Sequence, residues 1–202
     1  DSTGGANHGK LLNGSEWGAG KVGGALQFDG VDDIVEVAPK PYAKLTSTFT
    51  MALWVNPGET RASTPELGTR FEGHRTAQRY ALYPTHGVAL YGDGHAGAGI
   101  SVGTNGVSVF EHTTGSMSSV VVYEAPISGW THLAVVYEDG TPRLYLNGTL
   151  ARIGVKGPWT VHPGCGMGGS KYGWYKGLLD DVRIYSRALS FAEVAELATK
   201  GR

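Results

Sequence analysis

The chain has 202 residues, with 17 basic and 18 acidic side chains and a net charge of −1. That length suits one sizeable domain whose core needs no disulfide staple. The near-neutral balance, without a Lys/Arg run, removes the usual driving force for binding nucleic acid or anionic membrane, and no apolar run approaches the ~18 residues of a membrane span.

Glycine contributes 32 residues and proline nine, and only one segment reads as a helix. This composition predicts an all-β fold of short strands joined by tight turns. The single cysteine, Cys165, allows no intrachain disulfide and leaves the redox compartment undecided. It lies in a Gly-rich strand-like run and reads as a buried, inert thiol. The chain opens at Asp1 without a basic-then-apolar leader, as expected of a processed chain or an excised module. Two sequons, at Asn13 and Asn147, are weak hints of glycosylation, because Asn-Gly turns produce them by chance.

In chain order, residues 1–24 are rich in Gly, Asn and Ser but carry Leu11, Leu12 and Trp17. Those anchors predict an ordered segment wrapped around the domain. Strands are expected at 25–28 and 34–37, around Asp29-Gly30-Val31-Asp32-Asp33. Residues 49–55 alternate, with Met51, Leu53 and Val55 set against Ala52 and Trp54. Trp54 and Trp130 read as core, inside apolar strands. The polar stretch 57–79 holds Arg61, Arg70, His74, Arg75 and Arg79. It predicts a long loop, a class usually functional or mobile. Strands resume at 80–83, followed by a Gly-rich loop with Asp93 and His95. Further strands are expected at 99–102, 107–112 and 120–123, with Asn105-Gly106 as a type I′ turn between the first two.

Residues 130–148, WTHLAVVYEDGTPRLYLNG, predict a hairpin. Runs 130–137 and 142–146 flank the turn residues Glu138-Asp139-Gly140-Thr141. Leu144 and Leu146 point one way, Arg143 and Tyr145 the other. Such a hairpin is unstable alone and needs a second sheet over its apolar face. The rest of the chain is expected to supply one, and further strands are expected near 152–156, 159–162, 166–168 and 178–185. Ser190-Phe191-Ala192-Glu193 is a capping box that opens a helix to about residue 199. Phe191, Val194 and Leu197 form its apolar stripe, and Gly201 lies just past its end.

The hairpin resembles the signature hairpin of laminin-G-like, concanavalin A-like jelly-roll modules. GGALQFDGVDDIVEV at 23–37, FTMALWVNP at 49–57 and GLLDDVRIYSRALSFAEVAEL at 177–197 match other segments of that family, in its order. The resemblance implies one domain over residues 1–202, a two-sheet antiparallel jelly-roll sandwich with one short C-terminal helix. It says little about ligand, because the family hosts many. It also implies a secreted or cell-surface, non-catalytic carbohydrate-binding module. Such a module raises the effective concentration of a polysaccharide-acting enzyme in the same polypeptide.

Three constellations bear on chemistry. For catalysis, related jelly-roll glycosidases set paired carboxylates on one strand as E-x-D-x-x-E. That pattern is missing: Glu111 stands alone on its strand and Glu124 runs into Ala125-Pro126. For metal, resemblance points to Asp1 and Asn7 with Asp180 as a structural calcium clip. Asp29, beside Asp32 and Asp33, adds hard oxygen donors of the kind calcium prefers. The alternative is that these aspartates only shape turns or cap amides. For sugar, aromatic faces and planar polar side chains concentrate in residues 70–123. Arg79, Tyr83, His86, Asp93, His95, Glu111, His112 and Tyr123 are the candidate ligand-binding residues, on loops or strand ends. The face that Tyr83 takes is open, since Tyr80 and Leu82 make an equal core pair. Trp174 and Tyr175 read either as a rim platform or as packing over a sheet edge. An oligosaccharide or polysaccharide is the expected partner. A structural or adhesion domain is the alternative, and a glycoside hydrolase or lyase comes third.

Overall fold

The computed structural model describes residues 2–5, 7–38, 42–67 and 76–199. Two large sheets face each other and dry out one apolar layer between them. Sheet A runs in the order β1 (Lys10–Leu12), β4 (Ile34–Glu36), β14 (Gly166–Met167), β6 (Tyr80–Tyr83), β7 (His95–Gly103), β8 (Gly106–Thr113) and β9 (Ser116–Glu124). A further strand, β13 (Thr160–Pro163), joins β7 in parallel. Sheet B runs β12 (Thr149–Ile153), β11 (Thr141–Leu146), β10 (Thr131–Glu138), β5 (Phe49–Pro57), β17 (Lys176–Tyr185), β3 (Gly24–Asp29) and β2 (Glu16–Ala19). A small hairpin, β15 (Gly169–Ser170) with β16 (Gly173–Trp174), stands beside β6. The expected jelly-roll sandwich is the fold that forms.

Period-two alternation decides which side chains meet. Met51, Leu53 and Val55 enter the layer between the sheets, with Leu133, Val135 and Leu144 from the neighbouring strands. Ala52, Ala134, Val136 and Tyr145 face outward and are covered by helix α2 (Phe191–Leu197), through Val194 and Leu197. Ser190 caps that helix with the expected capping box. Phe191, its first residue, is 60% exposed and leaves the stripe incomplete. Gly201 lies outside the described residues.

Several local expectations change. The β10–β11 turn is tighter than four residues: Glu138 pairs with Thr141 around Asp139 (φ 48°) and Gly140 (φ 80°). Two left-handed residues match the twist of the strands they join. Between β7 and β8 the turn is Thr104-Asn105, one residue early, because Gly103 pairs with Gly106. Gly106 is required for close approach, since a Cβ there would lie 2.2 Å from the Tyr123 carbonyl oxygen. Trp130 is only half-buried, just before β10. Trp17 sits on the edge strand β2 and is 68% exposed, so Leu11 is the better anchor of the N-terminal segment. A one-turn helix, α1 (Gly87–Tyr91), interrupts the expected Gly-rich loop.

The long polar stretch is partly a strap. The Leu67 amide donates to the Ser119 carbonyl (2.9 Å), and the Val122 amide donates to Glu66 (2.8 Å). These bonds cover the free edge of β9, which would otherwise offer unpaired backbone groups to another chain. Arg70, His74 and Arg75 lie outside the described residues.

Candidate functional site

Sheet A has an inner face toward the core and an outer face. Along β8, Val107, Val109 and Glu111 turn inward, whereas Phe110 and His112 turn outward. On the outer face Tyr80, Phe110 and Met117 form a small buried cluster, and Tyr83 and Tyr172 pack over it. Tyr80 is therefore the buried partner of the pair and Tyr83 the half-buried one.

At one end of this face four rings come together. The Tyr83 and His112 rings lie 6.1 Å apart, edge to face, and His86 and His112 lie 4.8 Å apart. Tyr172, in the β15–β16 turn, packs on the same cluster, with the Lys171 ammonium 5.1 Å from its ring centroid. Local structure fixes the histidines. His112 Nδ1 donates to the Pro84 carbonyl (2.8 Å). His86 caps α1, its Nδ1 accepting from the Ala89 amide (3.0 Å). A neutral His86 therefore carries its proton on Nε2, away from the helix. Burial raises the Tyr83 phenol above its ordinary pKa, so it remains a neutral hydroxyl.

Behind α1 lies a second group. The Tyr91 ring stacks on His162 at 3.8 Å, and His95 Nδ1 lies 2.8 Å from His162 Nε2. Burial holds His162 below the ordinary imidazole range. Asp93 is exposed in the turn that precedes His95. Tyr91, His162 and Tyr172 escape sequence reasoning. His162 reaches His95 only through the parallel pairing of β13 with β7, which brings together residues far apart in the chain.

The remaining candidates lie elsewhere. Arg79 is at the opposite end of the sheet, paired with Glu59 (2.8 Å), which also takes Lys176 (3.0 Å). Tyr123 is opposite Val107, five residues along β8 from His112, or about 17 Å away at strand spacing. It is half-buried against the inner core. Arg61 is fully buried at this end, bound to Glu124 (3.0 Å) and to the Val107 carbonyl (3.3 Å). Glu111 is fully buried on the inner face and accepts from the Tyr137 hydroxyl (3.2 Å). Burial pushes its carboxyl up to about 8, with Tyr137 opposing the shift. The structure thus brings Tyr83, His86 and His112 together, keeps Asp93 and His95 near that end, and separates Arg79, Glu111 and Tyr123 from them. Trp174 is half-buried, and Tyr175 is core, its hydroxyl donating to the Leu178 carbonyl (3.1 Å). Cys165 is buried, its thiol pushed up to about 11 by burial.

Oxygen donors gather in the β3–β4 turn. Carboxylate oxygens of Asp29, Asp32 and Asp33 lie within 4.8 Å of one another, an arrangement able to hold a metal ion. Asp180 stands apart, its oxygens accepting the amides of Val22 (2.7 Å) and Asp181 (2.6 Å). Asn7 is half-buried, and Asp1 lies outside the described residues.

Residues 29–195 match the family described as the concanavalin A-like lectin/glucanases superfamily. The chain belongs to that superfamily. Among solved structures it is similar to domain 4 of AbnA, a GH43 extracellular arabinanase from Geobacillus stearothermophilus, in complex with arabinotriose. There the TM-score is 0.67 at 21% identity, over 98% of this chain and 92% of that one. It is also similar to the binding domain of Paraclostridial Mosquitocidal Protein 1, with a TM-score of 0.62 at 15% identity over 98% of this chain and 48% of that one. A botulinum neurotoxin type C structure, concerning interaction with two ganglioside molecules, gives 0.62 at 12% over 98% and 47%. This superfamily member spans about half the length of those toxin chains. At these identities the likeness establishes the fold. No helix among the described residues is long and apolar enough to cross a membrane.

Proposed function

We propose that this superfamily member is a non-catalytic carbohydrate-binding module, acting outside the cell beside a polysaccharide-acting partner in the same polypeptide. The observation that carries the reading is the Tyr83–His86–His112–Tyr172 cluster on the outer face of sheet A. Its rings offer faces to sugar C–H surfaces, while His86 Nε2 and the tyrosine hydroxyls offer polar groups to sugar hydroxyls. Asp93 and His95 extend the polar rim. None of the four cluster residues bears a carboxylate, which suits binding better than glycosidic cleavage. The neighbour bound to arabinotriose and the one associated with gangliosides support a glycan as ligand. Calcium belongs to the same proposal as a structural ion.

Affinity electrophoresis through gels cast with single polysaccharides tests this. Retardation by at least one gel, reduced by His86→Ala, supports it. A reducing-end assay that rises above blank on the purified chain would replace binding with catalysis. A protein-binding or spacing role is the second reading, favoured by Leu150 and Ile153, exposed at 41% and 55% on the sheet B edge strand β12. Retention on no polysaccharide would turn attention to that edge.

A further inference from the structure

Two connections cross from sheet A to sheet B at one place. One joins β1 to β2 through Asn13 and Gly14; the other joins β3 to β4 through Asp29–Asp33. They touch through the Asn13 side-chain amide, which donates to the Asp32 carbonyl (2.9 Å). Between them lies a cavity of about 220 Å³ lined by Asn13, Gly14, Glu16, Gln27, Asp29 and Asp33. Every one of the five side chains among them carries an oxygen donor.

Asp33 is the informative residue. It is 4% exposed. Its Oδ2 accepts the Asp29 amide (2.8 Å), but Oδ1 is buried without a hydrogen-bond partner. Oδ1 faces the cavity wall at Gly14, where an added Cβ would lie 3.2 Å from it. A buried carboxylate oxygen left bare is costly. Among the described residues, none of Glu16, Asp29, Asp32 and Asp33 forms an ion pair with a lysine or arginine. Lys176, opposite Asp29 in the sheet, sends its ammonium to Glu59 instead.

We infer that one divalent cation sits in this cavity, held by Asp33 Oδ1, the Asp29 and Glu16 carboxylates and the amide oxygens of Asn13 and Gln27, with Asp32 at the rim. Hard oxygen donors of mixed carboxylate and amide type select calcium, which takes six to eight such ligands in flexible geometry; magnesium demands a stricter octahedron. The ion staples the two crossovers and so fixes the two sheets at this end. It is distinct from an Asp1–Asn7–Asp180 clip, whose Asp180 already accepts two amides. The inference deepens the calcium part of the proposed function and does not depend on sugar binding.

The test is isothermal titration of CaCl2 into the chelator-treated chain, with thermal melts in parallel. The expected result is one site per chain, and a melting-temperature rise of about 5–10 °C at a hundredfold excess over Kd. Asp33→Asn and Glu16→Gln each weaken calcium affinity about tenfold or more, whereas Asp180→Asn leaves it unchanged. Glu16 is exposed on an edge strand, so Glu16→Gln decides the matter if Asp33→Asn fails to fold. Absence of heat and of any melting shift in the unmodified chain overturns the inference. So does unchanged affinity in Glu16→Gln, or loss of the site in Asp180→Asn. Loss of glycan binding with calcium binding intact would count against the sugar site alone.

Discussion

The two ends of sheet A solve opposite problems. At the arginine end, Arg61 is buried but meets Glu124 and three backbone carbonyls, while Arg79 and Lys176 share Glu59. Each charge there has a partner, so these side chains hold the strap and strands together. At the histidine end, the half-buried rings of Tyr83, His86 and Tyr172 gather around the buried His112. Paired charges mark a fastening; rings and neutral donors gathered on a half-open surface mark a place to receive something.

The largest expected effect concerns a charge without a partner. Glu111 lies behind the histidine end on the inner face, where it meets the Tyr137 hydroxyl and, among the described residues, no cation. Its carboxyl is raised from 4.5 to about 8 in the fold. Stability from this group is therefore fully present below about pH 4.5 and is lost as pH rises to about 8. The slope inside that window is at most about 1.4 kcal/mol per pH unit. Urea melts at pH 5 and pH 8 should show the decline, and Glu111→Gln should flatten it. A slope unchanged by that substitution would mean the carboxyl is not the titrating group.

Next in size, Arg61→Ala should lower stability by about 3 kcal/mol, since it leaves buried carbonyls bare and removes the partner of Glu124. Glycan affinity of the folded fraction should not move. A variant that stays stable but binds less would relocate the site to the arginine end. Smaller again, Tyr172→Ala should weaken glycan binding roughly tenfold, about 1.4 kcal/mol, with a slight change in melting temperature. Smallest is Arg79→Ala, expected to cost under about 1 kcal/mol because its ion pair with Glu59 is partly exposed. Any fall in sugar affinity there, read by the same titration, would blur the distinction between the two ends.

Most of the fold is legible in the sequence because alternation is a local signal. Met51, Leu53 and Val55 declare one face and Ala52 another, whatever the partner strand. Ser190 and Glu193 announce their helix by spacing alone. The site is less legible because it depends on which distant segments become neighbours. Glu111 and His112 are adjacent in sequence yet lie on opposite faces of one sheet, so a cluster drawn on proximity merges two environments. Tyr91 and His162 are separated by 71 residues and meet only through a parallel strand pair. α1 is missed because its single turn is set by the His86 cap and by Gly87, where a Cβ would lie 2.4 Å from the Ala96 backbone. Burial of that kind leaves no periodic trace.

The sharpest test is calorimetric titration of the folded chain with whichever polysaccharide retards it most, alongside the double variant His86→Ala, Tyr172→Ala. Saturable binding by the unmodified chain, with at least a tenfold loss in the double variant at unchanged fold, is the expected outcome. Equal affinity in both proteins would contradict a glycan site at the histidine end.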